Sequence, residues 1–67
     1  MKITLNHTQE SFDAEFLTLA ELIRLKNFTF RMLVTKINGQ VVKTEDRDKT
    51  TVKEGDKVEV IHLISGG

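Results

Sequence analysis

The sequence predicts an α+β domain in which a mixed sheet of about four to five strands packs on one main helix. Three local signals predict it. Near both ends of the chain apolar residues alternate with polar ones, the period of a strand with one buried face. Thr18 and Glu21 form the T-x-x-E capping box that marks a helix start. Asn38-Gly39 separates two apolar runs and is the strongest short-range hairpin signal, because both residues tolerate the positive φ of a type I′ turn.

The first five residues set the first strand: Met1, Ile3 and Leu5 alternate with Lys2 and Thr4. Asn6-His7 then reads as a turn. A second alternation, Phe12, Ala14 and Phe16 against Ser11, Asp13 and Glu15, completes an expected opening hairpin. From Thr18 a helix of about two turns is expected, ending near Asn27, with Leu17 and Leu22 in the two positions of a hydrophobic staple. Leu19, Leu22, Ile23 and the stem of Lys26 share one face by helical spacing, and core packing accounts for that face.

Phe28 and Phe30 lead into a strand-length run, Met32 to Ile37, which turns at Asn38-Gly39 into a short return strand, Gln40 to Lys43. The return strand is a candidate sheet edge. Thr44 to Thr51 is polar, with Glu45, Asp46, Arg47, Asp48 and Lys49 in succession. Arg47 interrupts the carboxylates and the spacing is not that of a calcium loop, so a solvated loop or short helical turn is expected and no metal site. Val52 to Asp56 reads as a turn, and Lys57 to Ile64 as the last strand.

Composition narrows the function. A chain of 67 residues is one small domain, and a chain of that size buries only roughly 60% of its unfolded surface, which leaves little room for a catalytic pocket. Ten basic and ten acidic residues balance. With no cationic excess to neutralise phosphates, nucleic acid is not an expected partner. Cysteine is absent, so the chain has no disulfide and no thiolate of its own. Any sulfur that it handles comes from another molecule. The N-terminus lacks the pattern of a signal peptide, and no apolar stretch approaches the ~20 residues of a membrane span. A cytoplasmic protein without membrane contact is the expectation. Asn6-His7-Thr8 and Asn27-Phe28-Thr29 match the glycosylation pattern and are read as chance turn residues.

The last strand and the tail after it carry the functional signal. Val58 and Val60 share one face with His62 and Ile64 in phase, while Glu59, Ile61 and Leu63 share the other. One helix covers one face of the sheet. The opposite face would expose Ile61 and Leu63, and an apolar patch of this kind marks a partner surface. His62 is expected at the rim of that face, and His7 in its turn carries no signal. Ser65-Gly66-Gly67 forms a tail of residues 65–67 beyond a domain of residues 1–64. Without Cβ atoms, Gly66 and Gly67 can thread a narrow channel and leave the Gly67 carboxylate uncrowded. A carboxylate is a poor electrophile and must be activated, for example as an acyl adenylate, before sulfur or amine attacks it. Two glycines alone are equally what a frayed end would show.

Hairpin, helix, hairpin, charged connection and final strand fit one arrangement, in which the last strand inserts beside the first. This is the β-grasp, or ubiquitin-like, layout, and it projects the tail from the middle of the sheet.

Three runs then bear a resemblance. Lys36-Ile37-Asn38-Gly39-Gln40-Val41-Val42, Val52-Lys53-Glu54-Gly55-Asp56-Lys57-Val58-Glu59-Val60-Ile61-His62 and terminal Gly66-Gly67 are similar to the ThiS family of sulfur-carrier proteins in thiamine biosynthesis, as is Leu19-Ala20-Glu21-Leu22-Ile23 to that family's helix. Lys43 and Ser65 depart from a proline and a third glycine common there. The resemblance implies a carrier with no catalytic residue and no bound cofactor. Gly67 would be adenylated with ATP by a partner of the ubiquitin-activating type, ThiF-like, and converted to a thiocarboxylate. Sulfur would come from cysteine through a desulfurase or sulfurtransferase and pass to a ThiG-like thiazole synthase. Gly66 and Ser65 would thread the partners' active sites, and Ile61, Leu63 and His62 would form the docking surface of a protein that is a monomer when free. The small subunit of molybdopterin synthase shares the layout and tail, although that family is longer and has prolines before its terminus. A ubiquitin-like modifier joined to lysines, and a noncovalent binding domain with an inert tail, are the other readings.

Overall fold

A computed structural model describes residues 1–29 and 32–63. Strand β1 (Lys2–Leu5) turns at Asn6 and His7, both at positive φ, into β2 (Thr8–Ser11), to which it pairs antiparallel. The expected hairpin is present, but its second strand lies before the Phe12–Phe16 alternation. The β2 residues are almost all polar and exposed, because this strand is a sheet edge held to β1 by its backbone. Phe12 ends the pairing by donating its N–H to the Met1 carbonyl at 2.8 Å.

Helix α1 (Leu19–Leu25) begins where the capping box puts it. The Glu21 N–H donates to Thr18 Oγ1 at 3.1 Å and the Thr18 N–H donates to Glu21 Oε1 at 2.9 Å. The Thr18 backbone N–H, and then its side chain, hold the Glu21 carboxyl below the ordinary carboxylate range, with a smaller contribution from Arg24. At the other end Asn27 has φ 59, its N–H donates to the Arg24 carbonyl, and the Phe28 N–H donates to the Ile23 carbonyl, both at 3.0 Å. This pair of bonds is a Schellman motif, closed by the apolar residues Phe28 and Ile23. Lys26 Nζ reaches Glu10 Oε1 of β2 at 2.6 Å. The pair is partly exposed and contributes at most about 1 kcal/mol.

Ahead of the helix, β3 (Phe16–Thr18) pairs antiparallel with β6 (Thr51–Lys53) as a separate two-stranded sheet. The sequence pattern instead puts Phe16 in the opening hairpin and Val52 in a turn. Each of these strands is three residues long and is defined by a partner more than thirty positions away, so neither has a period to read. Strand β4 (Leu33–Ile37) turns at Asn38 (φ 51) and Gly39 (φ 85) into the edge strand β5 (Gln40–Val42). A 3-10 turn, Thr44–Asp46, comes next, and Gly55 at φ 85 makes the turn into β7 (Lys57–His62).

The main sheet has the order β2-β1-β7-β4-β5. Strand β7 runs parallel to β1 and antiparallel to β4, so the last strand occupies the centre. This is the expected β-grasp. Ile3, Leu5, Val58 and Val60 from the sheet meet Leu19 and Leu22 from the helix and Val52 from β6, all buried. Among the described residues no buried side-chain nitrogen or oxygen lacks a hydrogen-bond partner, and no helix is long and apolar enough to cross a membrane.

The polar connection between β5 and β6 is mostly exposed and opens with the expected short helical turn. Its backbone caps the helix, because Leu19 and Ala20 donate their N–H groups to the carbonyls of Thr50 and Arg47 at 2.8 and 3.1 Å. With Thr18 Oγ1 serving Glu21, the first three N–H groups of α1 all have acceptors. Arg47 itself is half-buried.

Candidate functional site

The central strand has two unlike sides. The side facing the helix carries Val58 and Val60, both buried. Along the outer side lie Lys57, Glu59 and Ile61, with Leu63 just past the strand, so this side is charged at its start and apolar at its end. Ile61 is 38% and Leu63 44% exposed. Both sequence-predicted patch residues therefore stand on the uncovered face, and alternation along a strand is what puts them there.

The neighbouring strand extends the patch. Val34 of β4 lies directly opposite Ile61, and Leu63 donates its N–H to the Met32 carbonyl at 3.0 Å, which continues the pairing one step beyond the strands. Met32 and Val41 are exposed as well. Met32, Val34, Ile61 and Leu63 thus form two cross-strand apolar pairs on one face. Lys36 and Glu59 are opposite each other at the next pair on this face and give it a charged rim. Sequence reasoning misses Met32 and Val34, since their alignment with Leu63 and Ile61 depends on a register between distant segments. His62 is exposed and lies opposite Leu33. It is in phase with Val58 and Val60, so alternation puts it on the side of β7 opposite Ile61 and Leu63, whereas the sequence reading expects it at the rim of their face.

The end of β7 that carries the patch is held by side chains. Strand β1 stops pairing with β7 at Leu5 and Val58. Beyond that point Asn6 takes over: its N–H donates to the Val58 carbonyl at 2.9 Å, its Nδ2 to the Val60 carbonyl at 3.2 Å, and its Oδ1 accepts from the Val60 N–H at 2.8 Å. On the other flank β5 stops pairing with β4 at Val42 and Thr35. There Arg47 takes over, with Nη2 donating to the Leu33 carbonyl at 2.8 Å and Nε to Thr35 Oγ1 at 3.2 Å. Thr35, fully buried, donates in turn to the Val42 carbonyl at 2.7 Å.

The remaining expected site residues, Ser65, Gly66 and Gly67, lie outside the described residues, as does Ile64. Among the described residues no three His, Asp or Glu side chains gather where they could hold a metal ion. The face is apolar along Met32, Val34, Ile61 and Leu63 and charged at Lys36 and Glu59.

The ThiS family model matches residues 2–67. The chain is similar to the crystal structure of the thiamine biosynthesis protein ThiS from Geobacter metallireducens, with 38% identity, all of both chains covered and a TM-score of 0.87. It is also similar to the solution structure of a thiamine biosynthesis protein from Geobacter metallireducens, with 34% identity over all of this chain and 88% of the other, at a TM-score of 0.76.

Proposed function

Because this chain belongs to the ThiS family, we propose that it is a sulfur carrier of thiamine biosynthesis whose reactive group is the carboxylate of Gly67. The observation that carries the proposal is the exposed apolar pair Ile61 and Leu63 at the end of the central strand, with only Ile64 and Ser65 between it and the di-glycine in the sequence. It supplies a handle for enzymes that must grip the domain and reach its tail.

The chemistry divides into three steps, all on partner enzymes. An adenylating enzyme of the ubiquitin-activating type joins the Gly67 carboxylate to the α-phosphate of ATP, with pyrophosphate leaving. Sulfur at the oxidation level of sulfide then attacks the acyl carbon and expels AMP, so the terminus becomes a thiocarboxylate. If the donor is a persulfide derived from cysteine, a thiol must accept the donor's sulfur as a disulfide when the thiocarboxylate is released. A thiazole synthase takes the sulfur from the thiocarboxylate. The carrier's own residues catalyse none of these steps; they bind and orient.

Energetics favours a modest interface. Each tail residue that enters a channel loses roughly 1–2 kcal/mol of backbone entropy, and the apolar patch offsets that loss. The carrier must also leave one enzyme for the next, which suits an interface near the low end, about 1,200 Å² in total. The test is ATP–pyrophosphate exchange by the activating enzyme. Exchange should depend on this protein and disappear when Gly67 is deleted; exchange at the parent rate without Gly67 would contradict the proposal.

A further inference from the structure

The two strands that carry the docking patch project past both of their neighbours. Pairing between β1 and β7 ends at Val58, and pairing between β4 and β5 ends at Thr35. Beyond these points extends a two-stranded segment, Leu33-Val34 against Ile61-His62, lengthened by the Met32–Leu63 hydrogen bond. An isolated pair of strands is at best marginally stable in water. This one nevertheless carries the exposed Ile61 and Leu63 and leads to the tail.

Each open flank is closed by a single side chain that stands in for a strand. The Asn6 amide carries an N–H donor and a carbonyl acceptor side by side, as a strand's backbone does, and presents both to Val60. Asn6 can do so because its backbone, at φ 49, turns away from the sheet, a conformation that asparagine tolerates better than most residues. On the opposite flank the Arg47 guanidinium offers its fixed fork of donors to Leu33 and Thr35. Neither residue lies on the outer face that meets a partner.

We propose that Asn6 and Arg47 are positioning residues that brace this overhang, so that the docking patch is held in one geometry as far as Leu63 before any enzyme binds. The proposal rests on the carrier reading. Its mechanism is preorganisation: a partner that meets an ordered patch does not have to order it, and the saving appears as affinity. Loss of a brace therefore weakens binding of the free and the reacting complex alike, which raises KM and leaves kcat in place.

The test uses Asn6→Gly, which keeps the positive φ and removes the amide, and Arg47→Met, which keeps an unbranched stem and removes the donors. Amide hydrogen exchange at Val60 and Leu63 reports the overhang, while the amides of Thr4 and Asn38, bonded at the other end of the sheet, report the rest. We expect exchange in Asn6→Gly to rise about tenfold or more at Val60 and Leu63 and to stay unchanged at Thr4 and Asn38. Arg47→Met should raise exchange at Leu63 in the same selective way. With the activating enzyme, KM should rise about tenfold and kcat stay within about twofold. Equal acceleration at all four amides would show global destabilisation and overturn the brace, as would an unchanged KM alongside loosened amides. Exchange is measured on the free protein, so failure of the brace and failure of the carrier reading are seen separately: the latter would show as a parent protein that no activating enzyme adenylates.

Discussion

The Asn38 side chain donates from Nδ2 to Asp56 Oδ1 at 3.1 Å, and this bond joins the two turns that flank the central strand. Asn38 Oδ1 also accepts from the Lys57 N–H at 2.9 Å, and the Asn38 N–H donates to the Lys57 carbonyl at 2.7 Å. The other oxygen of Asp56 accepts from the Lys53 N–H at 3.0 Å, closing the turn around Gly55. The N-G and E-G-D sequences, each common alone, are here one structural unit that fixes where β7 begins.

Asp56 is 7% exposed, and its removal strands two donors. Asp56→Ala should destabilise the domain by about 2 kcal/mol, because two charge-assisted, part-buried hydrogen bonds lose their acceptor. Asp56→Asn keeps one acceptor oxygen and should cost less. Chemical denaturation of the three proteins checks the order.

Leu63→Asp should lower the rate of activation at limiting carrier concentration by about tenfold or more, since it sets a charge in the centre of the apolar patch. It should leave the melting temperature unchanged, because Leu63 lies outside the buried core. Leu25→Asp is the control. Leu25 is more exposed, at 63%, but belongs to the helix, and its substitution should leave activation at the parent rate. Equal loss in both variants would mean that general apolar surface, and not this face, is what the enzyme holds.

Glu21 should make stability depend on pH. Its carboxyl titrates below the ordinary range in the folded protein because the ionised form accepts from Thr18. The stabilisation is therefore fully present above the unfolded value, about 4.3, and is lost as pH falls through the lower folded value. Glu21→Gln keeps an acceptor that does not titrate. The parent should be the more stable of the two at neutral pH, and the difference should shrink below about pH 4. Thermal melts of both proteins across that range check the sign; a difference that widens in acid would contradict it.

Much of the fold was legible because its signals are local. The capping box, the Asn38-Gly39 turn and the alternation of β7 each depend on residues within a few positions of one another. Where the pairing depends on backbone alone the chain is silent. Polar β2 and the three-residue strands β3 and β6 have no side-chain period, while Phe12, Ala14 and Phe16 alternate and form no common strand. Arg47, lost in a charged run, has its role only because the fold brings Leu33 and Thr35 to it. For the site, the period of β7 located Ile61 and Leu63, but Met32, Val34 and Asn6 join them through register and a long-range bond that no spacing reveals.

In the proposed function, sulfur is carried at Gly67. It is tested most directly by the intact mass of the protein after incubation with ATP, an activating enzyme and a cysteine-derived sulfur donor. The expected result is a gain equal to the exchange of one oxygen for one sulfur, placed at Gly67 by fragmentation and absent when ATP is omitted. An unchanged mass, in a reaction where the same enzyme adenylates another carrier, would contradict it.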